Sequence, residues 1–305
     1  MQAALSDLQN TFQTSVLTRI TDPFLQEQHI ELWIKRDDLL HPIISGNKWR
    51  KLKYILAHAL AVGADTLISM GGSYSNHLHA LAYVGKVLGL KTIGLIRGEA
   101  QQPLTATLMD MQNWGMELRF VSRSDYRVLR QYRGCFDLPG LKPGQYWLPE
   151  GGAQVLALQG VAEVITEIAM PYDVLCVPCG TGATLAGLIA QAPESVSILG
   201  FAALKNADFL NADVKNLLQR PKHNWQINLD YHFGGFAKTN SELLSFVDGF
   251  ELNSAIPIEP IYTGKMLYGL YDLIRKQQFK PGRRIIAVHT GGLQGKRGIL
   301  QCKEN

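Results

Sequence analysis

The sequence predicts an α/β protein with two doubly wound, open-sheet domains, and three observations point there. Short apolar runs of strand length alternate with amphipathic stretches of helical period, as in strands joined by crossover helices. Glycines mark the joints, at Gly63, Gly89 and Gly115. The alternation lapses once, over an Arg-, Tyr-, Gly- and Pro-rich stretch at 122–150, and resumes from Gly151. The chain therefore reads as a smaller α/β domain at 51–154 inserted into a larger one made of 1–50 and 155–305.

Taken in order, residues 1–30 read as irregular, with Pro23 at a turn. A strand at 30–35 runs into Asp37-Asp38. The polar loop Ser45-Gly46-Asn47 then delivers Lys48 to the start of an amphipathic helix over 49–62, whose apolar face is Leu52, Ile55, Leu56, Ala59 and Leu60. The apolar run 66–70, bounded by Gly71-Gly72, suits a strand buried on both faces. A helix at 75–88, a strand at 92–97, a helix at 103–114 and a strand at 117–121 complete the first alternation. The second comprises a helix at 154–169, a strand at 173–178, a glycine turn, a helix at 184–191 and a strand at 196–203. Helices near 206–219, 240–249 and 264–277 follow, and 284–288 is a final strand. There are no repeats or low-complexity segments.

Composition narrows the function classes. A hydrophobic content of 46% with 18% charged residues describes a soluble globular protein with ample core. The net charge is +4 and the 30 basic residues are scattered, whereas a nucleic-acid surface needs a basic stripe. No apolar run approaches the ~20 residues of a membrane helix. The segment Met1 to Asp7 lacks the basic-then-apolar pattern of a signal peptide. The expectation is a cytoplasmic protein without nucleic-acid or membrane partners. Of four cysteines, Cys176 and Cys179 form a C-x-x-C inside an apolar run, and no second pair or histidine stands at zinc-site spacing. They read as buried, reduced and structural, and no metal site is expected.

Four stretches carry chemistry. Lys48 follows a loop and opens a helix, a place where an amine's direction and environment can be controlled. Gly71-Gly72-Ser73-Tyr74-Ser75-Asn76-His77 joins a strand's carboxyl end to a helix, the position where open α/β sheets bind ligands; Ser75 or Asn76 could equally be a plain N-cap. Cys179-Gly180-Thr181-Gly182-Ala183-Thr184 also leads from strand to helix. Its backbone N–H groups and threonine hydroxyls make an anion cradle, or simply a tight turn. It has neither the lysine of a P-loop nor the three-glycine dinucleotide fingerprint, so a monophosphate fits best. His289-Thr290-Gly291-Gly292 offers a hydroxyl after the last strand. Tyr262, just before a helix, is by itself as well explained by packing. The Gly-x-Ser-x-Gly of serine hydrolases is absent. A lysine bound as an imine to a phosphorylated aldehyde would use all four pieces, which is how pyridoxal 5′-phosphate is held.

With these residues in hand, the chain resembles the 1-aminocyclopropane-1-carboxylate deaminase and D-cysteine desulfhydrase branch of the tryptophan-synthase-β-like, fold-type-II pyridoxal-phosphate enzymes. The resemblance spans nearly the whole chain. It rests on Ile34-Lys35-Arg36-Asp37-Asp38, Gly46-Asn47-Lys48 with Arg50-Lys51-Leu52, Gly71-Gly72 with Ser75-Asn76-His77, Gly180-Thr181-Gly182 with Thr184, Pro260 with Tyr262 and Gly264-Lys265, and His289-Thr290-Gly291-Gly292.

The resemblance implies that Lys48 bonds the cofactor and later shuttles protons. It implies that Lys51 and Gly180, Thr181, Gly182 and Thr184 serve the phosphate, and that Asn76 meets the 3′-oxygen. Ser75, His77 and Phe236 would face the amino-acid substrate, with Ser75 meeting its carboxylate or acting as a catalytic group near its reacting carbon; Tyr262 would stand against the cofactor and help handle the substrate, and the protein would be a homodimer.

Where the cyclopropane deaminase carries a glutamate toward the ring nitrogen and a leucine before the late Gly-Gly, this chain has Thr263 and Thr290, the desulfhydrase pattern. A hydroxyl favours the protonated ring less than a carboxylate does, so the resemblance leans to α,β-elimination from D-cysteine or a similar β-substituted amino acid. Ring-opening deamination is the alternative, and a non-catalytic pyridoxal-phosphate binder is the alternative of another class. Two departures stand out. Phe236 occupies the place of a second family tyrosine and has no hydroxyl, and Leu78-His79 replaces a polar pair.

Overall fold

Among the residues described by the computed structural model, 2–100 and 103–301, the chain opens with α1 (Gln2–Asn10), β1 (Leu17–Arg19) and α2 (Pro23–Glu27). Then come β2 (Glu31–Lys35), α3 (Asn47–Ala61), β3 (Thr66–Gly71), α4 (Asn76–Leu88), β4 (Lys91–Arg97), α5 (Ala106–Asn113), β5 (Met116–Val121), α6 (Arg123–Leu129) and β6 (Gln145–Leu148). The rest is α7 (Val155–Thr166), β7 (Val174–Cys179), α8 (Ala183–Gln191), β8 (Ser197–Ala202), α9 (Phe209–Leu217), β9 (Trp225–Asn228), α10 (Ser241–Ser254), α11 (Thr263–Arg275), β10 (Arg284–Val288) and α12 (Lys296–Gln301).

The chain divides into two compact units. The first takes residues up to 13, 41–160 and those from 294 on; the second takes 14–40 and 161–293. The first unit thus extends beyond the expected 51–154. Leu5 and Leu8 of α1 share a core with Trp49, Leu52, Ile55 and Leu56 of α3, which draws the N-terminal segment and the whole of α3 into it.

The first unit holds a four-stranded, all-parallel sheet in the order β5-β4-β3-β6. Every residue of β3 is buried, as a central parallel strand requires. From β3 the chain steps outward through β4 to β5, then returns to the other side of β3 as β6. The second unit holds a six-stranded sheet in the order β1-β2-β10-β7-β8-β9, parallel except for β1 at the edge. It reverses in the same way: β8 and β9 lie on one side of the fully buried β7, and β10 lies on the other. Such reversals are topological switch points, where the loops leaving neighbouring strands diverge and leave a crevice at their carboxyl ends. The Gly71–His77 loop leaves β3 at one switch point. Gly180–Thr184 leaves β7, and His289–Gly292 leaves β10, at the other.

The two alternating α/β patterns and the parallel sheets stand as expected. Several elements escape the sequence patterns. α1 has only two buried apolar residues, α2 is five residues long and β1 is three. α6 and β6 lie in the stretch read as an irregular connection, and β9 in the one left unassigned after α9. α6 is nonetheless capped, Ser122 Oγ accepting the Asp125 N–H at 3.1 Å. The motif Lys35-Arg36-Asp37-Asp38 turns inward in the second unit. Lys35 Nζ reaches Ser15 O and Glu167 Oε2, each at 2.7 Å, and Arg36 forks onto Asp38 at 2.9 and 2.7 Å. Removing one partner of such a buried pair leaves an uncompensated charge, so this run braces the end of β2.

The path of α3 is set by close contact with α7. A Cβ on Gly160 would fall on the carbonyl oxygen of Arg50, two residues beyond Lys48. Gly160→Ala should cost about 1–3 kcal/mol, the usual range for overpacking, and, on the expectation that Lys48 bonds a cofactor, weaken cofactor retention by displacing the helix that bears it. Thermal unfolding together with cofactor content checks both; a wild-type midpoint would show that α3 and α7 can separate without cost.

Candidate functional site

In the first unit, the start of α3 and the β3–α4 loop gather five of the expected residues. Gly46 takes φ 65°, ψ −145° ahead of α3, so the helix begins at Asn47 with no side-chain cap and Lys48 as its second residue. Lys51, one turn on, is buried and donates to Gly151 O at 3.3 Å. Ser75 caps α4, its Oγ accepting the Leu78 N–H at 3.2 Å, so the capping role is real and leaves the hydroxyl proton to be given elsewhere. Asn76 is the first residue of that helix.

His77 is fully buried. Ser69 Oγ donates to Leu148 O at 2.9 Å, so it must accept from His77 Nε2, 3.0 Å away. That fixes the proton on Nε2 and leaves Nδ1 as a buried acceptor without a hydrogen-bond partner. Burial, then the charges of Lys48 and Lys51, hold this imidazole well below the usual histidine range. His79, the departure from the family pattern, turns away: its Nε2 lies 3.0 Å from Asp110 Oδ2 and its ring meets Trp114 edge-on at 4.6 Å.

In the second unit, the stretch expected as an anion cradle leads from β7 into α8. Gly182 takes φ 77°, and a Cβ there would meet Val214 at 2.8 Å, so no other residue enters this turn without strain. It precedes α8 with no side-chain cap, and Thr184 is buried in the helix's first turn. Tyr262 stands against the cradle, its ring 3.1 Å from where a Gly180 Cβ would be. Phe236 meets the Tyr262 ring edge-on at 5.9 Å, which brings a third expected residue to the same place. Thr290 leaves β10, the strand paired with β7, and is buried. The preceding His289 is neutral: Nδ1 accepts the Gly291 N–H at 3.1 Å, so the proton sits on Nε2, 2.7 Å from Pro257 O.

Two supporting residues here had no role assigned from sequence, although Lys265 belongs to a motif that carries the resemblance. Glu259 is buried and its carboxylate accepts the N–H groups of Ile261 at 2.6 Å, Tyr262 at 2.9 Å and Thr263 at 2.6 Å. Burial pushes it up to about 7 against the pull of those donors. It thereby fixes the backbone that carries Tyr262 and Thr263 into α11. An acid just ahead of a helix is a legible signal, since it meets the positive end of the dipole. Lys265 donates to His232 O at 2.8 Å and Gly235 O at 2.7 Å, pinning the loop that bears Phe236, and burial lowers it to about 8. A cation in a helix's first turn is electrostatically misplaced; that misplacement was the available clue.

A family model described as pyridoxal-phosphate dependent enzyme matches residues 17–291. The chain belongs to this family. A Pyrococcus horikoshii protein, provisionally named a 1-aminocyclopropane-1-carboxylate deaminase, is 32% identical over 283 residues, covering 87% of this chain and 85% of the relative. An Arabidopsis thaliana protein named bifunctional D-cysteine desulfhydrase/1-aminocyclopropane-1-carboxylate deaminase is 30% identical, covering 87% and 73%. The crystal structure of an ACC deaminase homologue superposes with a TM-score of 0.80 at 28% identity, covering 99% of both chains. The chain is thus a fold-type-II enzyme of the lyase and deaminase kind, and its cofactor is pyridoxal 5′-phosphate. The donor set fits that group: an uncapped helix start with a glycine at positive φ suits a phosphate, and a lysine in the first turn of α3 suits an aldehyde. Among the described residues, no helix is long and apolar enough to cross a membrane.

The buried histidines set a pH dependence. His77, His79 and His289 are all lowered chiefly by burial from 6.5. Each is neutral in the folded protein, whereas the unfolded chain takes up the proton near 6.5. Their contribution to stability is therefore present above that pH and lost below it, by up to about 1.4 kcal/mol per pH unit for each group that stays neutral. Urea unfolding of the cofactor-free protein should show stability falling from pH 7 to 5.5. A flat profile would mean that these rings find partners when protonated.

Proposed function

We propose that the enzyme carries out α,β-elimination on D-cysteine or a similar β-substituted amino acid, releasing a 2-oxo acid and ammonia. For cysteine, with one water consumed, the products are pyruvate, ammonia and hydrogen sulfide. Pyridoxal phosphate supplies the electron sink that lets the α-proton leave. In this reading Lys48 Nζ holds the cofactor, then takes the α-proton. Ser75 donates its hydroxyl proton to the substrate carboxylate while its oxygen caps α4. Asn76 holds the cofactor's phenolic oxygen; Lys51 and Gly180, Thr181, Gly182 and Thr184 hold the phosphate. His77 and Phe236 shape the substrate side, and Tyr262 and Thr290 flank the cofactor. As the family resemblance implies, we propose a homodimer, and we propose that it acts in the cytoplasm.

The observation that carries elimination over ring opening is Thr263. It is fully buried at the first position of α11, where the ring-opening enzymes of the resemblance carry a carboxylate. The nearby carboxylate, Glu259, has its oxygens engaged by three backbone N–H groups. A site without a carboxylate for the ring nitrogen suits expulsion of a good leaving group such as thiolate better than rupture of a carbon–carbon bond. Ring opening is the second reading because similar proteins carry that name.

A screen of D- and L-amino acids with β-leaving groups, run beside 1-aminocyclopropane-1-carboxylate and scored by 2-oxo acid release, should show turnover of a β-substituted amino acid and little of the cyclopropane. The reverse ranking would overturn the proposal. Lys48→Ala should lose the visible absorbance of the bound cofactor and at least a thousandfold in turnover, a loss within the range seen for essential groups; an unchanged spectrum would remove Lys48 from its role.

A further inference from the structure

The amide of Asn76 is not free to choose its orientation, and the residue that decides it lies far along the chain, in the segment before α12. Arg297 can only donate hydrogen bonds. Its Nη2 lies 3.1 Å from one side-chain atom of Gln294, so that atom must be Oε1. The hydroxyl of Thr107 donates to the same oxygen at 2.6 Å. The other end of Gln294 is therefore the amide nitrogen, and its neighbours agree: Tyr74 O, an acceptor only, lies 3.4 Å from it. Nε2 also donates to Asn76, so the Asn76 atom that receives it must be Oδ1. Nδ2 is then what Asn76 has left to present.

The chain is anchored at its far end. Asp110 takes Arg297 Nη2 at 2.6 Å and stands 3.0 Å from His79 Nε2. Burial pushes this carboxyl up, but the hydrogen bonds from Arg297 and His79 hold it below its usual value, so it is charged at neutral pH. The histidine that departs from the family pattern is thus the outer support of the network. All the groups involved belong to the first unit.

We propose that Gln294 is a positioning residue for the cofactor: it locks the Asn76 amide so that an N–H donor, and never the carbonyl oxygen, faces the cofactor's phenolic oxygen. This rests on the assignment of Asn76 to that oxygen. A hydrogen-bond acceptor placed there would repel the deprotonated phenol, while a donor stabilises it.

Gln294→Glu tests this directly. A glutamate cannot donate to Asn76 Oδ1; it draws Nδ2 toward itself and turns Oδ1 toward the cofactor. Titrating cofactor-free protein with pyridoxal phosphate should show Kd rising at least tenfold. The pH midpoint of the bound cofactor's visible absorbance should also move upward, a readout that loosened packing would not shift. In the Asn76→Ala background the same substitution should change Kd by less than twofold, because no amide remains to be turned. Gln294→Met, similar in length and unable to hydrogen bond through an amide, carries the same cycle should the glutamate variant fail to fold; it should weaken binding severalfold, again only when Asn76 is present. Wild-type Kd and midpoint in the substituted proteins, or an equal loss with and without Asn76, would overturn the inference. If Asn76→Ala alone binds as wild type does, the ring contact of Asn76 is wrong and the inference falls with it. If wild type takes up no pyridoxal phosphate, it is the family reading that fails.

Discussion

In each unit, the reversal of strand order beside one fully buried strand is the constraint on which the rest depends. Parallel strands must be joined by crossovers, so every loop leaving a carboxyl end runs into a helix N-terminus. Where successive crossovers go to opposite sides, as at β3 and β7, the departing loops part and the helix start is left open to a ligand. The peptide N–H groups there are short of acceptors. The two starts resolve this differently. α4 takes its acceptor from Ser75, while α8 follows Gly182 and has no side-chain cap. The first start is closed by its own serine and offers side chains. The second suits an anion. One fold rule applied twice thus yields two different chemistries.

Burial of polar groups then fixes which atoms those loops present. Ser69 lies inside the central strand and can satisfy its proton only on Leu148 O, which forces His77 to donate through Nε2 and leaves its Nδ1 bare. Glu259 is held in an apolar surround by three backbone N–H groups and in return holds Tyr262 and Thr263. Lys265 fastens the Gly-rich loop that bears Phe236. None of these groups needs to touch a substrate. Each removes a degree of freedom from a residue of the proposed site, and a site must be held to within a fraction of an ångström to be effective.

Much of this was legible from sequence, for identifiable reasons. Long strands with unbroken apolar runs, such as β3 and β7, and helices with a full apolar face, such as α3, announce themselves through periodicity. The motif positions of Lys48, Ser75, Asn76 and Gly180 to Thr184 follow once strand ends are located, because their glycines and small polar residues interrupt otherwise apolar runs. What escaped was short or held by tertiary contacts. β1 pairs only three residues, and α1 has two apolar anchors. The allotment of residues 41–50 and of the C-terminal segment to the first unit depends on where Trp49 and Gln294 are packed and bonded, which no local pattern encodes.

The least legible feature was the hydrogen-bond direction around Asn76. Sequence can say that an asparagine follows a serine at a helix start; it cannot say which way the amide faces, since oxygen and nitrogen are nearly isosteric. The answer is supplied by a residue that has no choice. Arginine carries donors only, so one Arg297 contact determines Gln294, and Gln294 determines Asn76. Orientation passes along such a chain without any large energy in a single link, because every alternative places two donors or two acceptors face to face in a partly buried setting. The same logic explains why His79 can stand where the family has another residue. Its ring is engaged at Asp110, on the far side of the network from Asn76.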